Sequence, residues 1–146
     1  MKPVRVSLSI AAPLELVFQT IADPLNFCDA VPHITNIEFL SEKKKGVGTR
    51  FRETRVMKGR ESTVDLEVTE YVENDRVRMI SDAGGTIWDS IFTLTKDSGK
   101  IEMKMQMDIL PHTLIARITT PLIWKMVASG VEKDMDVIKD YCESKV

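Results

Sequence analysis

An acid and a base occur close together on one predicted strand, beside apolar residues. The segment "GTRFRETRVMKGREST" covers residues 48–63. Alternate side chains of a strand share a face, so Glu53 and Arg55 lie on the same face as Phe51. The pair could be a structural ion pair at the rim of a core. It could also contact a ligand, with Arg55 binding a carboxylate, phenolate or enolate oxygen.

The same pair offers one route to catalysis. Glu53 could act as a general base while Arg55 stabilises a developing enolate. The remaining sequence supplies no clear acid, since His33 and His112 each lie beside a proline at the end of an element. No metal site is predicted, and no nucleophile elbow, P-loop or dinucleotide-binding motif is present, so no cofactor is predicted. The catalytic residues stay unknown, with Glu53 and Arg55 as the candidates.

Cross-strand pairing supports the inward orientation of this pair. A two-residue loop at 58–59, with glycine at its second position, is typical of a hairpin. The resulting register pairs Arg52 with Asp65 on one face and Phe51 with Leu66 on the other. A slip of one residue would exchange the two faces. The register therefore places Glu53 on the apolar face.

The other strands extend this hairpin into an antiparallel meander. Gly84-Gly85 closes a hairpin, and a loop around "KDSG" closes the next one. The inner-face pairs predicted for the first are Val77–Phe92, Met79–Ser90 and Ser81–Trp88. For the second they are Leu94–Ile101, Phe92–Met103, Ser90–Met105 and Trp88–Met107. One apolar and one wet face are typical of such sheets.

Helices are predicted at both ends of the meander. Alternation over Val4–Ile10 indicates a first strand, followed by a helix from Pro13 to Asp23 and a short helix over residues 25–31. A strand over residues 34–40 leads into the meander. After the last strand, Thr120-Pro121 has the form of a helix N-cap followed by proline. The helix predicted there has about 22 residues and one broad apolar stripe.

This arrangement resembles the START-like, or helix-grip, superfamily, and in particular its polyketide cyclase/dehydrase-like branch. The segments that carry the resemblance are "SIAAPLELVFQTIADPLNF", "GVGTRFRE", "GREST…LEVTEY" and the last helix. The resemblance implies an α+β fold. A curved seven-stranded antiparallel sheet would wrap around a long C-terminal helix, with two short helices after strand 1. It also implies a single ligand-binding domain over residues 1–146, with a cavity for apolar ligands between sheet and helix.

Methionines concentrate on the predicted inner faces. Every methionine except Met1 falls there, which suits an adaptable apolar site but would equally suit an irregular core. Gly130, in the middle of the last helix, would allow either close packing against the sheet or room beside it. The predicted ligand-binding residues are Phe51, Glu53, Arg55, Met79, Trp88, Ser90, Phe92, Met103, Met105, Met107, Val127, Val131 and Met135.

Composition excludes several classes of protein. The chain has 146 residues and a formal net charge of -2, whereas a nucleic-acid binder would show a basic face. No apolar run approaches the roughly 18 residues needed to span a bilayer, so stable membrane insertion is not expected. Cys28 and Cys142 match no metal or redox spacing, and are expected to be free thiols in the cytoplasm.

Three hypotheses about function follow. The first is binding or carriage of a small hydrophobic molecule, such as a lipid, isoprenoid, quinone or polyketide. The second is a polyketide cyclase or dehydratase that uses Glu53 and Arg55. The third is a non-catalytic module for a protein partner, in which methionine side chains fill the interior.

Overall fold

Seven strands and four α-helices follow one another along the chain. The computed structural model describes residues 1–146. The strands are β1 (Val4–Ile10), β2 (Ile34–Phe39), β3 (Arg50–Met57), β4 (Arg60–Val72), β5 (Arg76–Ala83), β6 (Thr86–Asp97) and β7 (Lys100–Pro111). The helices are α1 (Leu14–Ala22), α2 (Pro24–Ala30), α3 (Leu114–Thr119) and α4 (Trp124–Ser144), with a 3-10 turn at Thr120–Ile123. None of the helices is long and apolar enough to cross a bilayer.

The strands form one antiparallel sheet in the order β1-β7-β6-β5-β4-β3-β2. The core lies between the sheet and the helices, and α4 contributes Val131, Met135, Ile138 and Cys142 to it. The predicted α+β helix-grip fold is confirmed: a seven-stranded antiparallel sheet, a long C-terminal helix and two short helices after the first strand.

The predicted β3–β4 register is confirmed in every pair. On the outer face Arg52 donates from Nε to Asp65 Oδ1 at 2.7 Å and from Nη2 to Oδ2 at 3.1 Å. The Thr54 and Thr63 hydroxyls hydrogen-bond beside this ion pair at 3.3 Å. The β5–β6 pairs are also as predicted. The positions of the two glycine-containing loops therefore predicted these two registers correctly, and in β3–β4 the complementary charge pairs agree with them.

The predicted β6–β7 register is wrong by two residues. Leu94 pairs with Met103, and Trp88 pairs with Ile109. The chain turns at Ser98-Gly99, where both residues have positive φ, 51° and 84°, a conformation that two-residue hairpin loops favour. A shift of two residues keeps each side chain on its face, but it moves every β7 residue along the sheet.

The segment before α4 also differs from the prediction. Thr120 is not the N-cap of the last helix: its hydroxyl hydrogen-bonds to that of Thr86 at 2.9 Å, and its backbone ends α3. A short helix, α3, precedes it and is capped by Thr113, whose Oγ1 accepts from Ala116 N at 3.1 Å. α4 begins only at Trp124 and has 21 residues.

Candidate functional site

A cavity of about 360 Å³ lies between the inner face of the sheet and α4. Strands β3–β7 form its main wall, α4 forms the opposite wall, and Pro24 and Phe27 of α2 contribute at one side. Gly130 faces the space, and a Cβ atom built there would meet no heavy atom within 4 Å. Gly130 thus leaves space on the α4 side of the cavity.

All but one of the predicted ligand-binding residues line this cavity. These are Phe51, Glu53, Arg55, Met79, Trp88, Ser90, Phe92, Met105, Met107, Val127, Val131 and Met135. Met103 does not, because the register shift of β7 places it opposite Leu94 in the closed core, where it is fully buried. That the lining residues bind a ligand remains a prediction.

Two methionines that were predicted to lie inside are exposed. Met57 is 40% exposed at the end of β3, and Met126 is 67% exposed on α4. Met57 lies at the tip of a hairpin, and Met126 lies in the first turn of a helix that begins later than predicted. The methionines of the cavity wall are therefore Met79, Met105, Met107 and Met135.

Trp88 is held in place by a backbone contact. Its indole Nε1 donates to the carbonyl oxygen of Ala83 at 3.2 Å, and the side chain is half-buried. This hydrogen bond lies within the β5–β6 hairpin and satisfies the only polar atom of the indole. The ring can then offer apolar surface to the cavity.

An ion-pair triad joins the sheet to α4 at the polar side of the cavity. Arg55 donates from Nε to Glu53 Oε2 at 3.0 Å. Its Nη1 lies 2.8 Å from Asp134 Oδ2 and 3.1 Å from Oδ1. The side chains are only 23%, 10% and 19% exposed for Arg55, Glu53 and Asp134. The inward acid and base of β3 are thus satisfied by each other and by a second acid.

The electrostatics of the triad favour a charged arginine and a weakened second acid. Burial raises the pKa of Asp134 above its ordinary value of 3.8, and the attraction of Arg55 offsets this only in part. For Arg55, burial opposes the charge, but Glu53 and Asp134 outweigh it and raise the pKa. With both carboxyl groups ionised, two carboxylates on one guanidinium give the triad a formal net charge of -1.

Two serine hydroxyls lie on the sheet wall away from the triad. Ser81 is 5% exposed and its Oγ has no hydrogen-bond partner within the protein. Ser90 lies on the neighbouring strand β6, and both residues line the cavity. A buried hydroxyl without a partner is unfavourable by about 1–3 kcal/mol. The Ser81 hydroxyl is thus a hydrogen-bonding group left unused on the cavity wall, with its oxygen itself buried.

Several lining residues were not predicted as site residues. Ser62, Val64 and Leu66 follow from the same alternation that placed Phe51 inward, so the sequence held that signal. Phe27 carried none, because its place depends on how α2 packs; its ring meets that of Phe92 edge to face at 6.2 Å.

The histidines and cysteines lie outside the cavity lining. His112 Nε2 is 2.8 Å from Asp82 Oδ1 in an exposed contact, and His33 is exposed at a helix end. Cys28 and Cys142 are both free. No group of three or more His, Cys, Asp or Glu side chains is arranged to hold a metal ion.

Comparisons with solved structures show the same fold. The protein TTHA0849 from Thermus thermophilus has a TM-score of 0.78 and 18% identity, with 99% of both chains covered. A START superfamily protein from Mycobacterium smegmatis gives 0.77 and 14%, also over 99% of both chains. The di-domain ARO/CYC StfQ from the steffimycin biosynthetic pathway gives 0.81 and 8% over 98% of this chain and 51% of that chain.

A family model assigns the chain to a family, since solved structures of such low identity show only the fold. A comparison with curated proteins finds no match. The model described as "Polyketide cyclase / dehydrase and lipid transport" matches residues 1–143. The chain belongs to the polyketide cyclase/dehydrase and lipid transport family.

Proposed function

We propose that the protein is a single ligand-binding domain that binds or carries a small, mainly hydrophobic molecule in the cavity. The observation that carries this proposal is the mainly apolar cavity of about 360 Å³ between the sheet and α4, with the triad and two serines on its wall. Apolar walls with a few polar groups are typical of small-molecule sites. A lipid, an isoprenoid, a quinone or a polyketide each has this mixed character.

The triad restricts the polar groups of the ligand. Arg55 already binds two carboxylates, and the net charge of the triad is -1. A ligand carboxylate beside it would meet an unfavourable like charge. A neutral hydroxyl or carbonyl would not, since the triad offers carboxylate oxygens as acceptors and the Nη2 of Arg55 as a donor. The ligand is therefore an apolar molecule with neutral oxygen groups.

Native mass spectrometry of protein purified without detergent is the first test. A stoichiometric adduct in the mass range of lipids or polyketides, extracted and identified, supports the proposal and names the ligand class. The two free thiols are consistent with the cytoplasm as the compartment, so the protein should be prepared from the cytoplasmic fraction under reducing conditions.

A matched pair of probes tests the preference for neutral oxygen. Naphthol and naphthoate share one apolar ring system and differ in charge, and isothermal titration calorimetry at neutral pH measures both. We expect naphthol to bind roughly tenfold more tightly or better, since a close like charge is worth a kcal/mol or more at a partly buried site. In the Asp134→Asn variant the triad is neutral, so the preference should shrink. Tighter binding of naphthoate would contradict this ligand class, and no binding of either probe, with no adduct, would contradict the carrier.

A cyclase or dehydratase is the second candidate, and one observation favours it. Two carboxylates of different environment, Glu53 and Asp134, lie on one cavity with Arg55 between them. The raised pKa of Asp134 suits a proton donor, while Glu53 would be the base and Arg55 would stabilise an enolate.

Enolisation can be measured without knowing the natural substrate. Proton exchange at the central carbon of benzoylacetone in heavy water, followed by nuclear magnetic resonance, reports it directly. An enzymatic role predicts exchange that is faster than with an equal concentration of Glu53→Gln protein. Exchange that survives Arg55→Ala undiminished would rule out the triad as the catalytic group.

A further inference from the structure

A second apolar surface lies outside the cavity, on α3 and the start of α4. Leu114, Ile118, Leu122 and Met126 recur every four residues and are 76%, 66%, 80% and 67% exposed. Ile115, 75% exposed, lies beside them. We call these five residues the 114–126 face. Monomeric proteins rarely expose contiguous apolar patches larger than a few hundred Å².

The inward side of the same segment consists of small residues. Ala116 is 1% exposed and Thr120 is 4% exposed, and Thr120 is bound to Thr86 of β6. The large apolar side chains therefore point to solvent although the segment is firmly attached to the sheet. Packing within the chain does not account for this orientation, which leaves the face available to a partner outside the chain.

Charge identifies the kind of partner. The segment from residue 109 to residue 131 contains Arg117 and Lys125 and no acidic residue. Arg117, Lys125 and Lys2 line one surface depression together with Trp124, and no acid contributes to it. The Lys2 ammonium lies 4.4 Å from the centre of the Trp124 ring. The one carboxylate bound to this region is Asp82, which His112 engages.

We propose that the 114–126 face docks the protein on the surface of an anionic lipid bilayer. Exposed branched apolar side chains enter the boundary of the acyl chains, while Lys2, Arg117 and Lys125 contact the lipid phosphates. A tryptophan at the level of the headgroups suits that position. The docking is peripheral and reversible, since no helix is long enough to span the bilayer.

Co-sedimentation with vesicles tests the docking. The full chain should bind vesicles of phosphatidylcholine with one third phosphatidylglycerol and bind phosphatidylcholine alone at least roughly tenfold more weakly, since each basic residue near an anionic surface contributes about fivefold. Equal binding to both, or binding to neither, would overturn the proposal. The protein needs no ligand in its cavity for this measurement, so its outcome is independent of the proposed function.

Two pairs of variants separate the apolar and the charged contributions. Ile118→Ser with Leu122→Ser should abolish vesicle binding, while Val47→Ser with Val72→Ser, on other exposed surfaces, should leave it unchanged. Arg117→Gln with Lys125→Gln should weaken binding roughly twentyfold. The control is Lys44→Gln with Lys45→Gln, which removes the same charge from the 43–45 loop and should change binding by less than about twofold. The four exposed sites of the test variants keep folding intact, which circular dichroism verifies.

A second copy of the chain is the alternative occupant. Light scattering over a range of concentrations would then show a dimer that Ile118→Ser dissociates, and this result would overturn the membrane proposal. A monomer that binds the anionic vesicles supports it. In a Trp88→Phe variant Trp124 is the only indole, so a blue shift of its emission on vesicles would place the contact at this surface.

Discussion

The cavity and the 114–126 face are two apolar surfaces that meet on one helix. Val127 lines the cavity, while Met126, its neighbour in sequence, is 67% exposed on the face. The cavity lies between the sheet and α4, and carboxylates and the unpartnered Ser81 are part of its lining. The face is open, and the depression beside it is lined by Lys2, Arg117 and Lys125 and by no acid. A cavity lined by apolar and polar groups suits a single small molecule. An open apolar surface beside basic residues suits the extended surface of an anionic bilayer.

Truncation of methionines tests whether the cavity is open space or a loosely packed core. Met103 and Met105 lie on the same strand and the same sheet face, 0% and 6% exposed, but only Met105 lines the cavity. Met103→Ala should lower the free energy of unfolding by about 2–5 kcal/mol, because it creates a new void. Met105→Ala should lower it by less than half as much. Urea unfolding measures both, and equal losses would contradict an open cavity.

Filling the cavity should separate the two surfaces. In Gly130→Phe the new ring extends into space where a Cβ meets nothing within 4 Å, so naphthol binding should fall by roughly a hundredfold, since a ligand needs most of its surface buried. Binding to anionic vesicles should stay as in the wild type. Ile118→Ser should show the reverse pattern. Gly130→Ala is the control: it should stabilise the helix by up to about 1 kcal/mol and still bind naphthol. Joint loss of both functions in either variant would contradict two independent surfaces.

The Ser81 hydroxyl distinguishes a ligand site from a merely apolar space. Ser81→Ala should weaken naphthol binding about fivefold, the effect of one hydrogen bond, without lowering the free energy of unfolding. Thr49 provides the control, because its buried Oγ1 also lacks a partner but does not line the cavity. Thr49→Val should leave naphthol affinity unchanged. Calorimetry measures the affinities, and unchanged binding by Ser81→Ala would remove this hydroxyl from the site.

The smallest expected effect is a pH dependence of the free energy of unfolding. It comes from the carboxylates, which line the cavity and are absent from the 114–126 face. Burial raises the pKa of Asp134 above 3.8, so the folded state holds this proton more tightly than the unfolded state. That contribution to stability is fully present below pH 3.8 and is lost as the pH rises through the raised pKa. Wild type should therefore gain stability relative to Asp134→Asn as the pH falls toward 3.8.

Asp65, an exposed carboxylate on the outer face of the sheet, should give a pH dependence of stability with the opposite sign. The hydrogen bond from Arg52 lowers the pKa of Asp65, so its contribution is present above the unfolded value and is lost as the pH falls. The stability difference between wild type and Asp65→Asn should shrink on acidification, and only weakly, since the side chain is 55% exposed and solvent screens the pair.

Urea unfolding at several pH values measures both variants. A difference in the free energy of unfolding between wild type and Asp134→Asn that does not change with pH would contradict the burial of the Asp134 charge.

The strand registers show how far sequence patterns reach. In β3–β4 the pairs Arg52–Asp65 and Thr54–Thr63 agree with only one alignment, and the structure has that alignment. In β6–β7 the inner-face residues are apolar apart from Ser90, so a shift of two positions keeps every side chain on its face and leaves nearly the same kinds of residue in contact. The turn at Ser98-Gly99 decided between the alternatives, and Met103 moved out of the cavity as a result.

Local sequence determined the period of each strand, the helix-grip order of elements and the inward face of Glu53 and Arg55, because these depend on alternation and on neighbouring residues. Only the tertiary structure decided that Asp134 of α4 completes the ion pair, that Ser81 has no partner, and that Leu114 and Ile118 point to solvent. Each of these depends on the distance between elements far apart in the chain. Such distances are set by how whole surfaces pack, and no single segment contains them.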